Sequence, residues 1–413
     1  MNKEEYMRIL KERLERFSQE LQDDILEDYE QHFTEGQKQG RSEEEIIREL
    51  GNIEEMIQEL SDVDDESYKE NTTGATEEQG RAGIVESDFA VSGQNYTYDE
   101  SYEAIELEGT IADIILEPSE DGKLHIEYKN ELEEKYRQFC NFYYYEKNGV
   151  LHAGVKVKET ERRVKFFGRI LTMSGSVSWG EDSVSLWVKV PSQMPRLTFI
   201  TSSGDVRMDR ISVGNLQGKT SSGDVKVMDV RTEELRISAA SGDLKLEDVE
   251  VRKADLSTTR GDIEADICAD IVSFSSASGD IEANAEARVV TCNSTSGDIH
   301  AVMIHAYKQV DWSAQNCVIK CNTTSGDINA VTSGNNIRAD MNSVSGDIRM
   351  NMDLTNGIET TVNTVSGDIG IRWQGRRQEV GRGCYRFGDG SSKVKANTVS
   401  GDIDIDGRGP ETE

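Results

Sequence analysis

Between Leu197 and Ile405, apolar and polar residues alternate in short runs, and each run restarts after a Gly-Asp pair. With the glycine counted as zero, position +2 is Val, Leu or Ile in all ten copies: Val206, Val225, Leu244, Ile263, Ile281, Ile299, Ile328, Ile348, Ile369 and Ile403. Position +4 is mostly apolar or small, as at Met208, Val227, Leu246, Ala265 and Ala283. Positions −7 and −5 are usually apolar too, as at Leu197 and Phe199, Leu235 and Ile237, Val272 and Phe274, and Ile319 and Cys321. Position −3 is small, as at Thr201, Thr220, Ala239, Ser276 and Thr398. Apolar side chains at every second position belong to strands with one buried face, whereas a helical repeat would show a period of 3.6.

The glycines are Gly204, Gly223, Gly242, Gly261, Gly279, Gly297, Gly326, Gly346, Gly367 and Gly401, spaced 19, 19, 19, 18, 18, 29, 20, 21 and 34 residues apart. A period near twenty signals stacked repeats. The pattern predicts an all-β parallel β-solenoid of ten Gly-Asp coils, each with two or three short strands, over residues 197–413. Glycine suits a corner because it adopts positive φ, and aspartate caps a turn with its own side chain. The corner aspartates are Asp205, Asp224, Asp243, Asp262, Asp280, Asp298, Asp327, Asp347, Asp368 and Asp402. A column of carboxylates also suggests calcium, which in nonapeptide solenoids is held by oxygen ligands from adjacent coils. Here one Gly-Asp recurs at twice that period with no second acidic column, so the turn role suffices and no metal or cofactor is expected.

A different periodicity opens the chain. Ile9, Leu10, Leu14 and Phe17 mark an amphipathic helix, and Leu21, Ile25, Tyr29 and Phe33 mark a second that stops near Gly36 or Gly40. Ser42 and Glu45 form a capping box before Ile46, Ile47 and Leu50, and Asn52 with Glu55 opens a fourth helix through Leu60. Residues 1–60 are thus predicted as a separate all-α domain, 61–83 as a flexible linker, and 84–196 as an irregular β segment capping the solenoid.

Charge changes the picture of partners. The chain carries 78 acidic and 46 basic residues, a net of −32, which argues against binding a nucleic-acid backbone directly. Residues 1–66 alone hold 22 acidic and 8 basic residues. No apolar run approaches the ~20 residues of a membrane span, and the charged start lacks the apolar core of a secretion signal, so a cytoplasmic location is expected. Six scattered cysteines lack metal-ligand spacing; Cys292 and Cys321 fall at the inward −5 position of consecutive coils and should stack as buried thiols. The terminal Asp402-Ile403-Asp404-Ile405-Asp406 strand reads as an outer edge blunted by carboxylates and by Pro410.

Three stretches break the rhythm and are the candidate binding regions. One runs from Phe142-Tyr143-Tyr144-Tyr145 to Arg162-Arg163-Val164-Lys165-Phe166-Phe167. The long coil after Gly297 carries His300, His305, Tyr307, Asp311 and Trp312, with the two histidines on opposite faces of a strand. The long coil after Gly367 carries the binding candidates Arg372, Trp373, Arg376, Arg377, Arg382, Tyr385, Arg386 and Phe387. This basic cluster suits an anionic ligand or the acidic helical module, or neutralises neighbouring carboxylates.

Two resemblances add to this reading. Asn2-Lys3-Glu4-Glu5-Tyr6, Ile25 through Phe33, Ser42 through Ile47 and Leu50-Gly51 resemble the HAAS helical signalling domain, with Gly51-Asn52-Ile53 where that family usually has Gly-Asp-Pro. This resemblance implies signalling or regulation and a protein partner, a PadR-like regulator or a membrane signalling protein. The strand ending at Val190-Pro191, followed by Leu197 and the Ser-Gly-Asp run, resembles the bacterial "putative adhesin" domain family over about residues 95–406. The expected function is therefore a non-enzymatic cytoplasmic regulator or scaffold, its helical module docking a protein and its solenoid serving as a rigid interaction surface. The alternatives are a glycan-binding or glycan-cleaving β-helix, for which Arg372 beside the corner aspartates is the nearest catalytic-looking pair, and a self-assembling structural element.

Overall fold

The computed structural model describes residues 3–14, positions 26, 29, 33, 42 and 43, and residues 94–98, 102–132, 137, 140–157, 184–192, 194–303, 317–354 and 356–408. They belong to two compact units, one holding the N-terminal helical residues and the other residues 82–158 and 180–413.

In the first unit a helix spans Lys3–Leu14. Tyr6, Leu10 and Leu14, four residues apart, are buried on one side of it, as helical periodicity requires. The Tyr6 ring stacks on Tyr29 at 6.0 Å and meets the edge of Phe33 at 5.9 Å. The amide of Lys3, one of the orphan donors at the helix start, donates to Glu43 Oε2 at 2.9 Å. The remaining parts of the expected second, third and fourth helices, and the linker, lie outside the described residues.

The second unit is mostly β, a solenoid in which the 26 strands among the described residues form one continuous hydrogen-bonded sheet. Its parallel rungs are in register: Val206 pairs with Val225, Val225 with Leu244, and so on through Ile263, Ile281, Ile299, Ile328 and Ile348. The ten +2 side chains are between 0 and 4% exposed, so the aliphatic column is the inner wall. Burying each contributes about 1.5–3 kcal/mol. Gly218, which takes an inward position without a side chain, has its space filled by the Phe199 ring.

Coil length has a local cause. Arg210, Asp229 and Asp248, each six residues after the corner glycine, adopt left-handed conformations with φ of 54°, 48° and 53°. The next coils omit that residue, and the strands Ile263–Ser276 and Ile281–Ser294 run on unbroken. A register shift between Leu246 and Val249 absorbs the change. This is how a 19-residue period becomes 18.

The rungs do not follow chain order at either end. Ile403–Arg408 lies between Ile348–Asp353 and Ile369–Trp373, and Ser392–Asn397 lies between Ile337–Asn342 and Gly357–Asn363. The last coil in sequence is thus inserted between its two predecessors, and the terminal strand is internal rather than an edge. At the other end, Ala104–Gly109 sits between Val150–Val157 and Met194–Thr201, and Asp113–Pro118 between Val184–Val190 and Val206–Asp209. The segment expected to be irregular therefore supplies two further rungs in register with the solenoid.

Antiparallel strands cover both ends. Cys140–Lys147 pairs with Val150–Val157, and Leu124–Asn130 with Val184–Val190, with Gln94–Tyr98 beyond it. At the C-terminal end Arg376–Glu379 pairs with Ile369–Trp373, and Gly383–Gly388 with Gly357–Asn363. The extra residues after Gly367 therefore build a cover over rung edges that would otherwise offer unpaired backbone groups.

Candidate functional site

The corner column is the most regular array of ionisable groups on the solenoid. Asp113 Oδ1 accepts the amide of Asp205 at 2.9 Å, and Asp205 Oδ1 accepts that of Asp224 at 2.9 Å. The same bond recurs through Asp243, Asp262, Asp280, Asp298, Asp327 and Asp347, at 2.7–2.9 Å. It then passes to Asp402 and from Asp402 to Asp368, following space rather than sequence. Each aspartate thus caps the backbone of the next rung, where only its own turn was expected. A charge-assisted bond of this kind is roughly twice as strong as a neutral one and offsets the repulsion between stacked carboxylates. Burial, the largest cause, raises the Asp113 and Asp205 carboxyls above their ordinary value, although each also accepts an amide hydrogen bond that lowers it.

The glycine beside each aspartate is there for closeness. A Cβ on Gly223 would stand 2.1 Å from the carbonyl oxygen of Gly204, and the same clash, 2.0–2.2 Å, occurs at all ten glycines. Among the ten only Gly367 has positive φ, so the conformational reason expected from sequence is replaced by a steric one. The small residue at −3 serves the same corner. Thr258 Oγ1 donates to the Gly242 carbonyl at 3.1 Å and accepts the Gly261 amide at 3.1 Å, and Ser276, Ser294, Thr323, Ser343, Thr398 and Thr364 donate likewise. Size was legible in the sequence; the buried hydroxyl was not singled out.

The eight candidates after Gly367 do not converge. Arg372 donates to Asp406 at 3.0 Å and Arg377 pairs with Asp404 at 2.9 Å, neutralising the terminal strand's carboxylates. Arg372 engages Asp406 and not a corner aspartate, so the proposed catalytic-looking pair is not formed. Trp373 and Phe387 stack at 6.0 Å, and the indole lies where a Cβ on Gly407 would clash. Arg382 donates to the Val365 carbonyl at 2.9 Å, Tyr385 to the Gly381 carbonyl at 2.9 Å, and Arg386 to the Asp389 carbonyl. Arg376 is exposed opposite Trp373 in the cover strand.

The aromatic stretch divides by strand parity. Phe142 packs inward against Tyr128 and Tyr96, with Tyr144 beside Tyr96 and Tyr98, closing the N-terminal end. Tyr143 and Tyr145 turn outward: Tyr143 donates to Glu108 with Lys156 over its ring, and Tyr145 stacks on His152, which contacts Glu106 at 3.1 Å. Its basic half, Arg162 to Phe167, and His305, Tyr307, Asp311 and Trp312 of the second stretch lie outside the described residues. His300 sits in the strand Ile299–Met303, opposite Glu282. Among the described residues no group of three His, Cys, Asp or Glu is placed to hold a metal ion, and no helix is long and apolar enough to cross a membrane. Cys292 and Cys321 are in register and fully buried; their mutual contact, then burial, holds the Cys321 thiol well above its usual range.

The Toastrack DUF4097 family model matches residues 102–318 and 311–406, the span of the interleaved rungs. The chain belongs to this family. Ahead of the Toastrack region, the HAAS model matches residues 5–59. No curated protein is significantly similar in sequence. Among solved structures this Toastrack chain is similar to a "putative adhesin" from Parabacteroides merdae, at 13% identity and TM-score 0.40, covering 76% of this chain and 95% of that one. A second "putative adhesin", from Bacteroides fragilis, shows 14% identity and TM-score 0.28, covering 76% and 96%. A "putative lipid binding protein" from Parabacteroides distasonis shows 15% identity and TM-score 0.34, with the same coverage.

Proposed function

We propose that this protein is a non-enzymatic regulator or scaffold of the cytoplasm, in which the acidic helical module docks a protein partner and ten Gly-Asp coils form a rigid interaction surface. One observation carries the reading: from Asp113 to Asp402, each corner carboxylate is engaged with the amide of the next rung. The array that would otherwise suggest catalysis or cation binding is committed to holding the stack. The HAAS match supports a protein contact for the N-terminal module. A PadR-like regulator and a membrane signalling protein are the partners to try first.

The test is affinity capture with the full chain and with a form lacking residues 1–60. A partner retained by the first and lost by the second is the expected result. Unchanged capture by both would sink the docking role, and turnover of any member of a glycan panel would sink the non-enzymatic one.

A further inference from the structure

The described residues expose four large aliphatic side chains, and three of them, Val344, Val399 and Val365, stack on adjacent rungs. The Val399 amide donates to Val344 O at 3.3 Å and the Val365 amide to Val399 O at 3.2 Å. The equivalent corner position in the other coils is Ser202, Ser221, Ala240, Thr259, Ala277, Thr295 and Thr324. A valine column there is particular to this end of the solenoid.

Two residues back along the same outward face, Asn342, Asn397 and Asn363 form an amide ladder at 2.8 and 3.0 Å. Beyond it the outward columns read Asp340–Lys395–Thr361 and Arg338–Lys393–Glu359–Arg386. Arg382, bonded to the Val365 carbonyl, places a further guanidinium by the valines. Some cations of the solenoid are spent on neighbours, as in Arg231–Glu250, Lys245–Glu264 and Arg288–Asp270. Arg338, Lys393, Lys395, Arg382 and Arg386 form no ion pair among the described residues, while Asp340 is engaged by Asn342.

We infer that this face is a docking surface for an anionic phospholipid bilayer. A chain of net charge −32 is repelled by such a surface as a whole, and the corner carboxylates of Asp347, Asp402 and Asp368 flank the valines on their other side. Attachment would therefore run through the five cations that form no ion pair among the described residues, beside the exposed aliphatic side chains. Valines lie at the level of the headgroup–acyl boundary while ammonium and guanidinium groups meet the phosphates. Among the described residues the face carries no outward aromatic ring for stacking bases, and an acidic polymer alone gives the valines no role.

The test is sedimentation of the full chain with phosphatidylcholine vesicles, with and without an equal share of phosphatidylglycerol. Binding to the mixed vesicles only, reversed by high salt, is expected. Lys393→Glu/Lys395→Glu should lower partitioning tenfold or more, and Val344→Ser/Val365→Ser/Val399→Ser should lower it without abolishing the salt response. Arg207→Glu/Arg252→Glu, with the same change in net charge elsewhere, should stay within about twofold of the parent. Thermal melts show which variants fold, and Lys393→Gln/Lys395→Gln serves if the reversal does not. No partition onto the mixed vesicles, equal loss in the control, or capture of polyglutamate without capture of vesicles would overturn the inference.

Discussion

The amide of Asp402 donates at 2.9 Å to the carboxylate of Asp347, fifty-five residues earlier, while the carboxylate of Asp402 accepts the amide of Asp368 at 2.8 Å. The chain thus threads its final coil between two coils already made. Ten residue-spanning carboxylate–amide bonds follow the spatial order without a break, so the insertion is part of the stack's design.

Removing residues 391–413 should therefore cost more than one coil. The Ile369–Trp373 rung would lose its parallel partner and Ile348–Asp353 its neighbour. Hydrogen exchange is expected to show loss of protection in both strands together. Protection retained at Ile369–Trp373 would contradict the interleaved arrangement.

Gly223→Ala should destabilise the solenoid by about 3 kcal/mol or more, because the new methyl would meet the Gly204 carbonyl at 2.1 Å and a backbone oxygen has no room to give. Gly381→Ala, where nothing lies within 4 Å, should stay within about 0.5 kcal/mol. Urea unfolding of both variants makes the comparison.

Asp113 and Asp205 have folded-state carboxyls raised by burial. Between the ordinary aspartate range and those raised values, the folded state binds more protons than the unfolded one. Their contribution to stability therefore grows as pH falls through that window and declines as pH rises. Lower self-repulsion of the acidic chain acts in the same direction. Asp113→Asn/Asp205→Asn should flatten the rise in melting temperature on mild acidification; an unchanged slope would remove these two groups as its cause.

A thiol reagent at neutral pH should label Cys384 first, since it is exposed, and half-buried Cys268 next. Cys140, whose thiol burial pushes up to about 11, and the buried Cys292, Cys317 and Cys321 should react only on unfolding. Mass mapping of labelled peptides over time checks the order.

Much of the solenoid was legible because Ile263, Ile348 and their equivalents recur at one offset, and burial demands that regularity. The rung containing Asp113 was hidden because Ala112 stands where the other corners have glycine. The insertion of the final coil was hidden because a gap of 34 residues states a length and not a path. For the basic cluster, composition named the arginines but not their partners: Arg372 and Arg377 are held by Asp406 and Asp404, carboxylates that arrive from the terminal strand. The Val344, Val365 and Val399 column was written openly as Val-Ser-Gly-Asp-Ile, although its spatial order puts Val399 in the middle.

The aspartate ladder also has a direction. Every rung offers an oxygen forward and takes hold backward with its amide, so a half-built stack always presents a vacant acceptor to whatever strand comes next. At this end the acceptor on Asp347 is filled by an amide fifty-five residues later in the chain, so the row cannot close before Asp402 has been made.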